Sequence, residues 1–204
     1  MKNESEVFIV QTGTANTASV VAAFERLGAR PRLGADPEEI ARADYVVLPG
    51  VGSFAAAASR LDEGGLRDPL RGRIEDGRPT LGICLGMQLF CAGSEESPGV
   101  EGLGLIPATV RRFGSEQRVP QLGWNRVEPK DCACIEAGNA YFANEYRLEE
   151  LPEEWNGATT DYGGTFVSAL ERGAVLACQF HPELSGDWGA RLLARWLDRG
   201  KELL

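Results

Sequence analysis

One histidine, His181, stands in a chain of 204 residues. Any chemistry that needs an imidazole has a single candidate, and a mixed His/Cys metal site would be short of ligands. No metal and no cofactor is expected. Long apolar runs are missing: none approaches the roughly 20 residues that span a bilayer. The first residues, Met1-Lys2-Asn3-Glu4-Ser5-Glu6, are acidic and open directly onto a strand pattern, so no signal peptide is expected. Clustered positive charge is missing as well. Lys and Arg number 21 against 30 Asp and Glu, a formal charge of -9, which argues against non-specific nucleic-acid binding. The cysteines number five, an odd count without framework spacing. Cys84, Cys91, Cys132 and Cys178 lie in or beside apolar runs, as reduced thiols do in a cytoplasmic protein. Cys132-x-Cys134 is too tightly spaced for a zinc knuckle and has no second pair, so it is read as structural. There is no internal repeat, low-complexity tract or linker, and residues 1–204 are expected to form one domain.

What is present is an alternation of strand and helix. Val7 to Val10 is a short β-branched and aromatic run, followed by the loop Gln11 to Asn16 and a helix from about Thr17 that stops at Gly28. Pro31 to Leu33 is a weak strand. Asp36-Pro37-Glu38-Glu39 has the cap, the proline and the first-turn acids of a helix start. Tyr45 to Leu48 is a third strand, and two helical segments cover Ser53 to Asp76, broken around Gly64-Gly65 and Pro69. Thr80 to Ile83 is a strand running into a helix over Leu85 to Cys91. This order predicts a parallel sheet with helices on both faces and working loops at the carboxyl ends of its strands. From Gly102 onward the pattern is strand-rich: Leu103–Ile106, Thr109–Phe113, Val119–Val127, Tyr141–Leu148 and Ala158–Asp161. Phe166–Leu170 and Val175–Phe180 read as a hairpin. A final amphipathic helix runs from about Trp188 to Leu203. The expectation is an α/β fold with an antiparallel portion in its C-terminal half.

The chemistry-bearing stretches fall at the predicted loops. Gly82-Ile83-Cys84-Leu85-Gly86 has the spacing of a nucleophile elbow, a sharp strand-to-helix turn that presents one side chain. Its cysteine would sit at a helix N-terminus, where free N–H groups favour a thiolate. A buried cysteine in a glycine-containing turn is the plainer alternative. Gln179-Phe180-His181-Pro182-Glu183 ends an apolar strand. In an extended chain His181 and Glu183 project to one side, and a carboxylate there can orient an imidazole base. A hydrogen-bonded, half-buried histidine would have the same sequence. Pro49-Gly50-Val51-Gly52 offers backbone N–H groups for an oxyanion, or is an ordinary turn; the spacing of a phosphate loop is missing. Gln88, one helical turn after Cys84, is a polar residue in an apolar stretch and is read as a substrate contact or an exposed amide.

Taken together, Gly82-Ile83-Cys84-Leu85-Gly86-Met87-Gln88 and Gln179-Phe180-His181-Pro182-Glu183 resemble the class I, triad glutamine amidotransferases. Pro49 to Phe54, Pro98 to Ile106, Val119 to Asn125 and Thr159 to Gly163 resemble, within them, the glutaminase subunits of imidazole glycerol phosphate synthase. The resemblance covers nearly the whole chain. It implies a flavodoxin-like class I amidotransferase fold and a Cys84–His181–Glu183 triad that hydrolyses glutamine through a thioester. It further implies an oxyanion site from Gly50, Val51, Gly52 and Leu85, and glutamine held by Gln88 and the backbone of Asn144, Glu145 and Tyr146. The implied partner is a (β/α)8-barrel cyclase subunit, forming a heterodimer. That subunit would receive the ammonia, make imidazole glycerol phosphate and an aminoimidazole carboxamide ribotide for histidine synthesis, and activate the glutaminase. The sequence departs from the family pattern at Gln11 to Asn16, at Gln121 and Asn144, where histidines are common, and at Leu184, where lysine is usual. A paralogue feeding a cyclase of amidinated-sugar synthesis, a stand-alone triad amidohydrolase and a non-catalytic binding protein are the other readings.

Overall fold

A computed structural model describes residues 5–13 and 16–203. The first four residues, the Thr14-Ala15 centre of the Gln11–Asn16 loop, and Leu204 lie outside the described residues. A nine-stranded sheet has the order β2-β1-β3-β4-β12-β11-β10-β7-β8. Its first five strands, β1 (Glu6–Val10), β2 (Arg30–Gly34), β3 (Tyr45–Gly50), β4 (Thr80–Cys84) and β12 (Val175–Cys178), run parallel. The remaining strands, β11 (Thr165–Arg172), β10 (Asn156–Asp161), β7 (Gln121–Lys130) and β8 (Gly138–Asn144), are antiparallel. β12 belongs to both halves. It turns back from β11 through Gly173-Ala174, with Gly173 at φ +64°, and slots beside β4 with Cys178 opposite Ile83. Strand ends are thereby matched, and the residues just beyond β12 arrive next to the end of β4.

Alternation along the strands divides the core into two layers. Val7 and Ile9 of β1 face one way and pack with Phe24 of α1 (Thr17–Arg26) and with Leu192 and Trp196 of α6 (Gly186–Leu203). Phe8 and Val10 face the other. They meet Ile40 of α2 (Pro37–Arg42), Phe54 and Leu61 of α3 (Phe54–Glu63), and Leu70 and Ile74 of α4 (Arg67–Glu75). Asp36 caps α2 as its sequence predicts, its Oδ1 accepting from Glu38 N at 2.8 Å and Glu39 N at 3.1 Å. Pro69 does not break a helix. It occupies the first turn of α4, where its missing N–H has no helical partner to lose.

The helix expected over Leu85 to Cys91 is the four-residue α5 (Leu85–Gln88), and Cys91 instead opens β5 (Cys91–Ser94). The reason is competition for carbonyls. Leu103 N donates to Leu89 O at 2.6 Å, and Leu105 N and Ile106 N both donate to Phe90 O at 3.0 Å. The bonds that would continue the helix go to the Gly102–Ile106 loop. That loop is accordingly no strand, and β6 runs from Ile106 to Arg112. It joins β5 and β9 (Tyr146–Arg147) in a small second sheet. The long strand read over Tyr141–Leu148 divides at Glu145 into β8 and β9. No helix among the described residues is long and apolar enough to cross a membrane.

Beneath the α2–α4 layer lies Arg73, only 2% exposed. Its guanidinium donates to Thr80 Oγ1 at 2.9 Å, to Ile40 O at 2.5 Å and Ala43 O at 3.1 Å, and to Pro79 O at 2.8 Å. Burial, then the charge of Arg78, pushes its pKa down to about 9, so it stays charged at neutral pH. It ties the end of α2 to the start of β4, sharing Pro79 O with Val46 N and Ala43 O with Arg78. Replacing Arg73 by leucine should cost about 3 kcal/mol, because Ile40 O and Thr80 Oγ1 lose their donor and Pro79 O and Ala43 O each lose one of two. Urea unfolding monitored by circular dichroism measures this, and a loss below about 1 kcal/mol would contradict the assignment.

Candidate active site

The elbow exists because β3 and α5 nearly touch. A Cβ built on Gly86 would lie 1.9 Å from Leu48 O, and one on Gly50 would lie 2.8 Å from Leu85 Cβ. Only glycine permits either approach. Cys84 takes the strain of the turn, with φ +55° and ψ −111°, a backbone region costly for any residue with a side chain. Gly50 is its register partner on β3, so the Gly50–Gly52 loop runs beside the thiol. α5 is a single turn, and its dipole is correspondingly small. The polar groups at the sulfur come from elsewhere: Gln179 Nε2 donates toward Sγ at 3.7 Å, and Ala143 O on β8 lies 3.9 Å away as an acceptor for the thiol.

His181 and Glu183 do meet, though not through an extended chain. Pro182–Leu184 forms a short 3-10 turn, entered from an extended His181 at φ −101° and ψ +96°. Pro182 at the first position of that turn folds Glu183 back under the ring, and His181 Nδ1 lies 2.8 Å from Glu183 Oε1. The turn is fastened to β8 by His181 N donating to Tyr141 O at 2.9 Å. Ser185 Oγ fastens it again, accepting from Tyr141 N at 3.0 Å and donating to His181 O at 2.6 Å. Burial alone would lower the His181 pKa. Hydrogen bonding with Cys84 and Glu183, reinforced by their charges, overrides it and raises the value to about 10. With Nδ1 committed to Glu183, Nε2 is the ring nitrogen left for the thiol.

A pocket of about 280 Å³ opens over the elbow and is lined by Val51, Gly52, Cys84, Leu85, Gln88, Glu145 and Tyr146, together with Glu96, Pro120, Ala143 and Asn144. Its volume suits a ligand the size of one amino acid. Gln88 is buried, and its Nε2 donates to Gln179 Oε1 at 3.0 Å and toward Tyr146 O at 3.4 Å. The Glu145 carboxylate turns away to Arg112 at 3.2 Å, and its carbonyl accepts from Phe113 N. Tyr146 O is taken by the Gln88 and Asn144 amides. Tyr146 O therefore has both lone pairs engaged, while Glu145 O has accepted one bond.

Glu96 is a site residue that sequence reasoning missed. It lines the pocket, and its Oε2 accepts from Phe54 N at 2.8 Å at the start of α3, just past the Gly50–Gly52 loop. Nothing in Ser94-Glu95-Glu96 marks it. The β5–β6 pairing that carries it there appears only in the folded chain. Gln179 was visible in its motif, but without a role.

Strained nucleophile, oriented imidazole and glycine-lined pocket together have the geometry of a cysteine amidohydrolase. The family model for Glutamine amidotransferase class-I matches residues 9–198, and the chain belongs to that family. A solved structure called a glutamine amidotransferase has the same fold, with TM-score 0.78 at 23% identity, covering 96% of this chain and 98% of its own. Nearer in sequence is "Imidazole glycerol phosphate synthase subunit HisH" of Streptococcus gordonii, 39% identical over 93% of this chain and 94% of its own length. Its counterpart in Deinococcus radiodurans is 41% identical, with 94% and 92% covered. Within the class, then, the chain is one of the HisH family. An Arabidopsis thaliana protein, "Imidazole glycerol phosphate synthase hisHF, chloroplastic", is 40% identical over 96% of this chain, which spans 34% of that longer protein.

The single histidine allows a direct check. Its imidazole Cε1–H resonance should titrate well above the ordinary 6.5, with a midpoint near 10. Glu183→Gln and Cys84→Ala should each move that midpoint down. Because the folded value is raised, the imidazolium's stabilising contribution is complete below about 6.5 and fades as pH climbs toward 10. A midpoint at or below 6.5 in the unaltered chain would disprove the coupling.

Proposed function

We propose that Cys84, His181 and Glu183 act as nucleophile, base and orienter in the hydrolysis of glutamine, and that the ammonia passes to a separate cyclase subunit. The chain is the glutaminase subunit of imidazole glycerol phosphate synthase, a histidine-biosynthesis enzyme. The observation that carries the reading is the 2.8 Å His181–Glu183 contact beside a strained Cys84 in a pocket of amino-acid size.

In the proposed cycle Sγ, its proton already resting on His181 Nε2 as the raised imidazole pKa requires, attacks the side-chain carboxamide carbon. The negative oxygen that forms is met by backbone N–H groups of Leu85 and the Gly50–Gly52 loop, donors worth about 100- to 1000-fold each. Collapse breaks the C–N bond, and His181 returns the proton to the leaving nitrogen as ammonia departs. Water, deprotonated by the same ring, then attacks the thioester, releasing glutamate and restoring the thiol. Glu183 keeps its contact with Nδ1 and holds the ring's orientation. Gln88 and the backbone of Glu145 and Tyr146 hold the glutamine.

A partner is supported by the relatives' names, which call them subunits, and by the Arabidopsis protein, which carries the whole synthase name on a longer chain. It is supported too by exposed apolar side chains near the site. Leu122, Trp124 and Leu184 are 62%, 57% and 42% exposed. Trp124 packs edge-on against Tyr141 and reaches Gly186, two residues from Leu184. The usual lysine is replaced by Leu184, so this contact with the cyclase is apolar rather than ionic. Five unpaired cysteines fit a cytoplasmic enzyme, and the two cores on one sheet fit a single domain over 1–204.

Cys84→Ala and His181→Ala should each abolish glutamine-dependent synthesis in the assembled enzyme while leaving the ammonia-dependent reaction intact. A coupled assay with glutamine or ammonium salt as nitrogen donor measures both. Residual glutamine-dependent turnover above about 1% in His181→Ala would remove the histidine from the mechanism. Glutamate release by the unaltered chain, followed with and without the cyclase and its nucleotide, separates a partnered glutaminase from a stand-alone amidohydrolase.

A further inference from the structure

Gln179 is fully buried, one residue past β12, and its amide connects the side chains of two pocket residues. Its Nε2 donates toward Cys84 Sγ at 3.7 Å, and its Oε1 accepts from Gln88 Nε2 at 3.0 Å. Gln88 Nε2 also reaches Tyr146 O at 3.4 Å. The order of these groups is not arbitrary. A sulfur that becomes a thiolate can only accept, so the Gln179 amide must turn its NH2 toward it. Its carbonyl oxygen then faces Gln88, which must answer with its own NH2, and that leaves the Gln88 carbonyl oxygen as the group Gln88 offers to a ligand.

We propose that Gln179 is a positioning residue that holds the Cys84 sulfur with an N–H donor and, through the same amide, fixes Gln88 as a hydrogen-bond acceptor for the substrate. This deepens the glutaminase reading and rests on it. The relay replaces what a one-turn α5 cannot supply, a donor aimed at the charged sulfur. It also couples the charge on the nucleophile to the polarity of the pocket wall, so that Gln88 suits an N–H donor of the ligand, such as an amino acid's ammonium group. Nδ1 of His181 is spent on Glu183, and Ala143 O only accepts. Among the described residues, besides the imidazole itself, Gln179 is the side chain placed to donate to Sγ.

Two substitutions separate the halves of the relay in the full chain. Gln179→Glu keeps length and the acceptor for Gln88 but removes the donor to sulfur. Gln179→Leu removes both. Two readouts are needed: the pH dependence of Cys84 alkylation by iodoacetamide, followed at that peptide by mass spectrometry without glutamine, and steady-state glutaminase kinetics with the cyclase partner. In Gln179→Glu, alkylation at pH 7 and kcat should each fall about tenfold or more, while KM stays within about twofold of the unaltered chain. Gln179→Leu should lose a similar factor in kcat and also raise KM about fivefold or more. If the leucine variant does not fold, Gln179→Met gives the same comparison at nearly the original length. Unaltered alkylation profiles and kcat in both variants, with only a lower melting temperature, would overturn the relay and leave Gln179 a packing residue. The alkylation arm is independent of the functional reading. An unaltered chain that releases no glutamate with any partner refutes the glutaminase assignment, whereas normal glutamate release with unchanged Gln179→Glu behaviour refutes the relay alone.

Discussion

The site rests on one steric fact: β3 and the turn after β4 approach so closely that the Leu48 carbonyl occupies the space where a side chain on Gly86 would be. Everything else is arranged around that contact. It bends the chain sharply enough to put Cys84 at φ +55°, and it brings the Gly50–Gly52 loop against Leu85. Strain of this kind costs on the order of 1–3 kcal/mol and persists only where the surroundings impose it. Here they do, since β4 lies between two parallel neighbours and Cys84 is the last residue of a wholly buried strand.

Topology supplies the second half. The base arrives from almost a hundred residues away because β12, the last strand of the chain, inserts beside β4 with matched ends. An antiparallel hairpin delivers a parallel neighbour, and the segment after it has nowhere to go but over the elbow. Ser185 then clips that segment to β8, its Oγ accepting from Tyr141 N and donating back to His181 O. The imidazole is placed by backbone connections, and Glu183 sets its tautomer.

Much of this was legible in the sequence, and the particular failures show why some was not. The glycine spacing around Cys84, the lone histidine and its neighbouring acid identify themselves, because each is a local pattern with few alternative uses. The Asp36 cap and the Gly173 turn are local in the same sense. The length of α5 was misread because its end is set by hydrogen bonds from the Gly102–Ile106 loop, which no helix propensity encodes. The mutual orientation of His181 and Glu183 was expected for the wrong reason, extended chain in place of a 3-10 turn. Glu96 and the role of Gln179 escaped altogether. Each depends on pairings between distant segments, and a glutamate or glutamine carries no mark of what it will meet.

The Ser185 clip has a mechanical side. β8 ends the nine-stranded sheet, yet its Ala143 carbonyl faces the nucleophile and its Tyr141 backbone anchors the base. Its outer edge is met by the His181 segment, through the Tyr141–His181 bridge. The two halves of the chemistry are thus hung on one outer rail of the sheet, with Trp124 beside it on the surface. A body leaning on that rail would change the spacing of thiol and imidazole without disturbing the buried strands behind them.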